Sequence, residues 1–183
     1  MMSMTQPIIT WMDATHSQEI VGPFDYQVID ADDKSEIFIF NIWNNKGGAT
    51  DVSKMEDCTI TTRDLNGGTG DTPEFNIEAV KNNWFHVQVD SLGENDLDEE
   101  SSRVGKDFSK PIGTTGKTIL DHSGTPYATP LVPGTKEILG VNNNGQPQDA
   151  AGNYVTLSIQ CEVPLNARSG KQEFKKRISY RYV

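Results

Sequence analysis

The sequence predicts an all-β fold, an immunoglobulin-like antiparallel β-sandwich with a long loop-rich insertion. Short apolar runs recur along the 183 residues, and clusters of Gly, Pro, Asn, Asp, Ser and Thr separate them. Such turn chemistry, repeated many times, is typical of chains built from strands. A hydrophobic fraction of 35% and a negative mean hydropathy suit two sheets with polar loops better than a thick α/β core.

The predicted strands lie at 8–11, 26–29, 36–43, 58–62, 84–90, 154–163 and 174–182. Segment 36–43 is almost continuously apolar, which predicts a central strand that is covered on both faces. Segments 154–163 and 174–182 alternate apolar and polar residues, as half-buried strands do. We expect these last two strands to pair with each other through the loop 164–170 and to close the sandwich. Single helical turns are predicted at 50–55 and 78–81.

The chain is predicted to be one domain over residues 1–183, with residues 91–135 as an extended loop or arm. Apolar residues thin out over this segment while Gly, Pro, Ser, Asp and Glu accumulate. A structureless loop of this length is unusual within a compact domain unless it has a role. The segment is either an arm that orders against a partner or a solvated loop with one short hairpin.

Charge is distributed unevenly along the chain. The net charge is −10, yet six basic residues and one acidic residue follow position 165. The acidic bulk argues against nucleic-acid binding, because phosphates would be repelled. The basic tail docks either on an acidic neighbour or, the favoured reading, on the acidic body of its own fold. The candidate partner contacts are Lys175, Arg177 and Arg181 in this tail, and Tyr127 in the arm.

The motifs that suggest catalysis all fail on context, so we predict no enzyme and no catalytic residue. The segment GTTGKT (113–118) resembles the end of a phosphate-binding loop, but Pro111 stands where that loop requires glycine, and no strand-to-helix context surrounds it. The consecutive triplet Asp121-His122-Ser123 cannot converge as a hydrolase triad must.

Neither a metal nor a cofactor is predicted. His16, His86 and His122 lack partners at metal-ligand spacing. His86 is expected to be a half-exposed sheet residue. The acidic runs at 30–33 and 94–100 lack calcium-loop spacing and are read as solvated loops.

Cys58 and Cys161 lie in strand patterns at inward positions and are expected to be reduced core thiols. A bridge between them is possible only if the chain reaches an oxidising compartment. No apolar run approaches the roughly 20 residues that span a bilayer. The N-terminus lacks the basic and apolar regions of a secretory signal. We therefore expect synthesis in the cytoplasm and no membrane partner.

Several segments resemble virion proteins of tailed bacteriophages: WNNKGG (43–48), DVSKM (51–55), ITTRD (60–64), residues 84–94, PIG (111–113), NARSG (166–170) and RISYRY (177–182). The resemblance implies an immunoglobulin-type sandwich that decorates a capsid or belongs to a tail or baseplate. It implies a non-enzymatic protein of the virion, held in many copies or as a homo-oligomer by contacts with other virion proteins. The alternative is a carbohydrate- or receptor-binding module of a phage tail or cell surface. No functional residue is carried over.

Overall fold

A computed structural model describes residues 5–114, 116–120, 126–130 and 136–182. The described chain is nearly all β, with two antiparallel sheets packed together, and this confirms the all-β sandwich. The closer likeness to immunoglobulin domains stays a prediction. The described strands are β1 Ile9–Asp13, β2 Phe38–Asn44, β3 Glu56–Asp64, β4 Phe85–Val89, β5 Arg103–Val104, β6 Lys110–Pro111, β7 Gly116–Leu120, β8 Pro126–Pro130, β9 Tyr154–Cys161 and β10 Phe174–Arg181.

The strands form a large sheet in the order β1-β2-β9-β4-β5 and a small sheet in the order β10-β3-β6. β7 and β8 form a separate hairpin. One short helix, α1 (Glu78–Lys81), and two 3-10 turns (Asp90–Leu92 and Glu100–Ser102) complete the described elements. The helical turn predicted at 78–81 is thus confirmed.

The core lies between the two sheets and is rich in aromatic rings. Val155, Leu157 and Ile159 of β9 are fully buried, as their alternation predicts. The rings of Phe85 on β4 and Phe174 on β10 lie 4.5 Å apart between centroids, so they join the two sheets directly. Aromatic pairs at this distance add to the stabilisation that burial alone provides.

The middle strand of the large sheet is β9. β2 lies beside it as an interior strand, paired with β1 on one side and β9 on the other, which agrees with the predicted central position of segment 36–43. Its second face is covered at one end only: Trp43 is fully buried, whereas Ile37 and Ile39 are about half exposed. An unbroken apolar run therefore did not indicate complete burial.

The predicted pairing of the last two long strands is also wrong. β9 lies in the large sheet, and β10 lies in the small sheet beside β3. Residues 162–173 connect them, and this link is long enough to cross from one sheet to the other. Alternation specifies which face of a strand is buried, but not which strand pairs with it.

Two further local predictions are wrong. Residues 51–54 are not helical but extend into an isolated bridge, where Met55 N donates to Ile138 O at 2.8 Å. Residues 26–29 are irregular rather than a strand, and Gln27 has a positive φ of 61°. This segment is held by its aromatic side chain, since Tyr26 packs edge-on against Phe85 at 5.2 Å.

The first half of the predicted arm belongs to the sandwich, which corrects the reading of 91–135 as one insertion. β5 pairs with β4 and β6 pairs with β3, so the segment contributes to both sheets. Val104 and Ile112 are fully buried. Beyond residue 114, the described part of the segment is the β7–β8 hairpin. A hydrogen bond ties its base to the body of the fold: Gly152 N donates to Thr118 Oγ1 at 3.1 Å. Residues 115, 121–125 and 131–135 lie outside the described part.

Candidate functional site at the edge of the small sheet

β10 presents the longest open edge of the two packed sheets. At the opposite end of the small sheet, β6 has two residues, and so has β5 at one end of the large sheet. β1, at the other end, is covered by the chain itself, because Ile20 N donates to Trp11 O at 2.8 Å. β10 has eight residues, and within the described chain its only backbone ladder is the one with β3. Such an edge leaves a row of backbone donors and acceptors unpaired.

The register shows which backbone groups of β10 point outward. Cys58 N donates to Lys136 O, and Cys58 O accepts from Ile112 N, so the backbone groups of Cys58 point away from β10. Because N–H and C=O groups alternate sides along a strand, those of Thr59, Thr61 and Arg63 point toward β10.

The β10 residues opposite these three positions therefore turn their own backbone groups inward to the ladder. These residues are Ser179, Arg177 and Lys175. The residues between and beside them, Phe174, Lys176 and Ile178, consequently direct their N–H and C=O groups outward, to the open edge.

Three cations lie side by side on the outer face of the small sheet, and we call them the cationic strip: Arg63 on β3, and Lys175 and Arg177 on β10. Lys175 is directly opposite Arg63 in the register, and both β10 side chains are exposed. Arg177 Nη1 donates to Gly67 O at 3.3 Å, and Arg63 donates to the carbonyls of Thr62 and Gly105. Within the described residues, none of the three makes an ion pair with a carboxylate.

The positive charges of the strip lie close together and repel one another. Burial, followed by the neighbouring charge of Arg177, lowers the pKa of Arg63. The charge of Asp64 acts on Arg63 in the opposite direction, but no carboxylate of the described chain forms an ion pair with the strip, on a chain with a net charge of −10.

Arg181, the third predicted contact in the tail, is neutralised within the fold. Its Nε lies 2.5 Å from Asp57 Oδ2, and its Nη2 lies 3.3 Å from Glu56 Oε2. The hydrogen bond and charge of Asp57 raise the pKa of Arg181. Arg181 therefore docks on the acidic body of its own fold, as the favoured reading has it, whereas docking of Lys175 and Arg177 on an acidic neighbour stays a prediction.

Tyr127, the fourth predicted contact, lies in β8 with its backbone opposite Ile119. Its side chain is outside the described part of the structure.

Sequence reasoning missed Arg63 and Lys176. Strict alternation along β10 places Lys176 on the inner face, where its Nζ lies 3.6 Å from the ring centroid of Phe24. Burial lowers the pKa of Lys176 to about 8. The alternation was visible in the sequence, but the position of Arg63 beside Lys175 depends on the register between β3 and β10.

His86 is buried rather than half exposed, which corrects the prediction. Its Nδ1 lies 2.7 Å from Ser102 Oγ, and its Nε2 lies 2.9 Å from Glu162 Oε2. Burial, with the nearby charge of Arg103, lowers the pKa of His86. Ser102 is itself fully buried, and its hydroxyl also reaches the carbonyls of Leu97 and Glu99. The cluster therefore fastens the second 3-10 turn to β4.

The acidic run 94–100 is solvated, as predicted, over Asp98, Glu99 and Glu100, but its first half is bound by a buried cation of the chain. Lys110 is 6% exposed, and its Nζ lies 2.6 Å from Asp96 Oδ2 and 3.1 Å from Glu94 Oε2. Lys34 lies 2.5 Å from Asp98. Among the residues that the structure describes, no group of three or more His, Cys, Asp or Glu side chains is arranged to hold a metal ion.

The structure also bears on the glycine-rich segment, the Asp-His-Ser triplet and the two cysteines singled out in the sequence. In the segment 113–118, Gly116 begins β7 instead of a helix, and a Cβ at this position would lie 2.7 Å from Ala151 Cβ. The triplet 121–123 lies outside the described residues. Cys58 and Cys161 are buried free thiols, as expected, and burial raises the pKa of each to about 12.

Over the described ranges, no helix has the length and apolar composition needed to cross a membrane. No family model, curated protein or solved structure matches this chain.

Proposed function

We propose that this chain is a non-enzymatic structural component of a tailed-phage virion, which attaches in many copies to an acidic surface of other virion proteins through the cationic strip. The observation that carries the proposal is the pair Lys175 and Arg177, exposed on an open strand and without a carboxylate partner in the described chain. The turn and strand-end segments that resemble phage virion proteins support the choice of particle.

The charge distribution gives this mode of attachment a physical basis. An acidic body is repelled by an acidic surface, whereas the three neighbouring cations of the strip are attracted to it. Complementary charge thus orients the encounter and suppresses other orientations. No chemical step is needed for such a role, and none is assigned to any residue.

The test is the protein content of purified virions. Quantitative mass spectrometry of particles that carry the wild-type chain is expected to find it in many copies per virion. A K175E/R177E variant should be incorporated at least about tenfold less, because charge reversal removes the attraction and adds repulsion.

The matched control is R168E/K171E, which makes the same change in net charge on side chains that are 85% and 81% exposed and lie outside the strip. We expect this control to be incorporated like wild type. Absence of the wild-type chain from virions, or equal loss for both variants, would contradict the proposal.

A further inference from the structure

We infer that β10 binds an extended, acidic segment of a partner protein as an added strand of the small sheet. The inference rests on the proposed function, because it specifies the partner segment that meets the cationic strip. The partner segment docks by backbone pairing at the edge of β10, and side-chain charge makes the docking selective. Strand addition to an open sheet edge is a common mode of peptide recognition.

The first support is the geometry of the edge. Phe174, Lys176 and Ile178 turn their N–H and C=O groups outward, so an incoming strand finds donors and acceptors at the spacing of a β-ladder. Among the described residues, no backbone group from another part of the chain pairs with β10 on this side. The register shift between Ser179 and Arg181 limits the regular edge to its first six residues, 174–179.

The second support is the chemistry of the two faces beside the edge. On the outer face, Lys175 and Arg177 lie two residues apart, which is the spacing of same-face side chains along a strand. Acidic side chains on the same face of the added strand would lie across from them, and opposite charges at such cross-strand positions stabilise a sheet. On the inner face, Phe174 and Ile178 pack against the core on either side of Lys176, whose Nζ is turned to the ring of Phe24, so this face offers apolar contact to the alternate residues. The preferred segment therefore alternates acidic and apolar residues.

The experiment is amide hydrogen exchange of the full chain, followed by NMR, with and without an eight-residue peptide of alternating Glu and Val. In the free chain, the amides of Lys176 and Ile178 should exchange fast, and those of Lys175, Arg177 and Ser179 should be protected by β3. Saturating peptide should slow Lys176 and Ile178 by roughly tenfold or more and leave the other three unchanged.

The matched peptide control has Lys in place of Glu and should give no protection, because it meets like charge. The K175E/R177E variant should lose the protection with the acidic peptide, whereas R168E/K171E should keep it. Thermal unfolding followed by circular dichroism verifies that both variants are folded.

Failure of the acidic peptide to protect Lys176 and Ile178, whether or not it binds elsewhere on the strip, would overturn strand addition. That result would leave the proposed function intact if K175E/R177E still reduced incorporation into virions. Loss of the proposed function is recognised separately, by the absence of the chain from purified particles.

Discussion

Two inward-pointing lysines show how different surroundings accommodate a charge. Lys110 on β6 is enclosed with two carboxylates, Asp96 and Glu94. Lys176 on β10 has an aromatic ring as its neighbour, and burial lowers its pKa. A buried cation is tolerated while its carboxylate partners are present. Removal of either the cation or a carboxylate leaves an uncompensated buried charge.

Lys110→Met is therefore expected to destabilise the chain by about 3 kcal/mol, since it leaves Asp96 and Glu94 facing each other without a cation. The control Lys34→Met removes an exposed pair with Asp98 and should cost about 1 kcal/mol or less. Urea unfolding curves measure both. Adding Asp96→Asn should recover part of the loss in the Lys110 variant. Equal losses for the Lys110 and Lys34 variants would contradict this reading of the loop.

His16 couples the stability of the fold to pH. Its Nδ1 accepts a hydrogen bond from Trp43 Nε1 at 3.0 Å, which requires that nitrogen to be unprotonated. Burial, followed by the charge of Lys46, lowers the pKa of His16. The folded-state pKa thus lies below the unfolded value of about 6.5, so this contribution is present above pH 6.5 and is lost as pH falls through the folded pKa.

We expect His16→Asn to lose less stability than wild type between pH 7 and pH 5. Asparagine does not titrate, offers an acceptor near the Nδ1 position and tolerates the positive φ of 61° at this residue. Urea unfolding at a series of pH values measures the difference. His86, whose pKa is also lowered, titrates in both proteins and cancels. Parallel pH profiles would show that the His16–Trp43 bond has no part in the pH dependence.

The sequence predicted which charged side chains are exposed better than which groups they contact. It identified Lys175 and Arg177 as exposed cations because alternation places them on one face. It could not show that Arg181 meets Asp57, because that contact joins residues 124 positions apart through a register that only the fold determines. It underestimated the burial of His86 for the same reason: the residues that cover it, around Ser102, come from a segment without an apolar pattern.

At the scale of elements, glycines set how closely segments approach. At Gly152, an added Cβ would lie 2.5 Å from the backbone N of Thr118 and 2.8 Å from Lys117 Cα. Backbone atoms cannot yield as the end of a flexible side chain does. The loop before β9 and the start of the β7–β8 hairpin can therefore pack together only with glycine at position 152.

Gly152→Ala should cost about 2 kcal/mol and loosen the base of the hairpin. Thermal unfolding measures the cost, and limited proteolysis with mapped cleavage sites locates the loosening. The control is Gly22→Ala, where an added Cβ meets nothing within 4 Å and the change should stay within about 0.5 kcal/mol. Equal stability of the two variants would show that the hairpin base shifts freely.

The sequence predicted most strands but not their partners. β3, β4, β9 and β10 were recognised from alternation and β-branched residues. β5 and β6 were missed because two residues carry no periodic signal, although their pairing places Val104 and Ile112 in the core. The assignment of 91–135 to one arm failed at this point, since its first half has few apolar residues, yet two of them, Val104 and Ile112, are fully buried.

At the scale of the whole molecule, the acidic body and the cationic strip divide the surface by charge. Asp96 of the 94–100 run and Asp57 of β3 are bound to cations of the chain, whereas the strip on the small sheet makes no ion pair with a described carboxylate. The large sheet, by contrast, carries hydrogen-bonded polar side chains on its outer face, such as Thr156 with Asn41 at 2.6 Å. The two faces of the sandwich thus differ in the partners they can attract.

The central place of β9 determines how the chain must fold. β9 separates β2 from β4, yet it is the last of the three in the sequence, and its junction with β2 joins Asn44 to Asn153 across 109 positions. Until β9 arrives, the apolar faces of β2 and β4 have no strand between them. Closing so long a loop before its contacts form is slow, and all-β chains dominated by such pairings fold in about milliseconds to seconds. During that interval the unfinished sheet exposes two apolar strands to association with other chains, a hazard that increases with the concentration at which the protein is made.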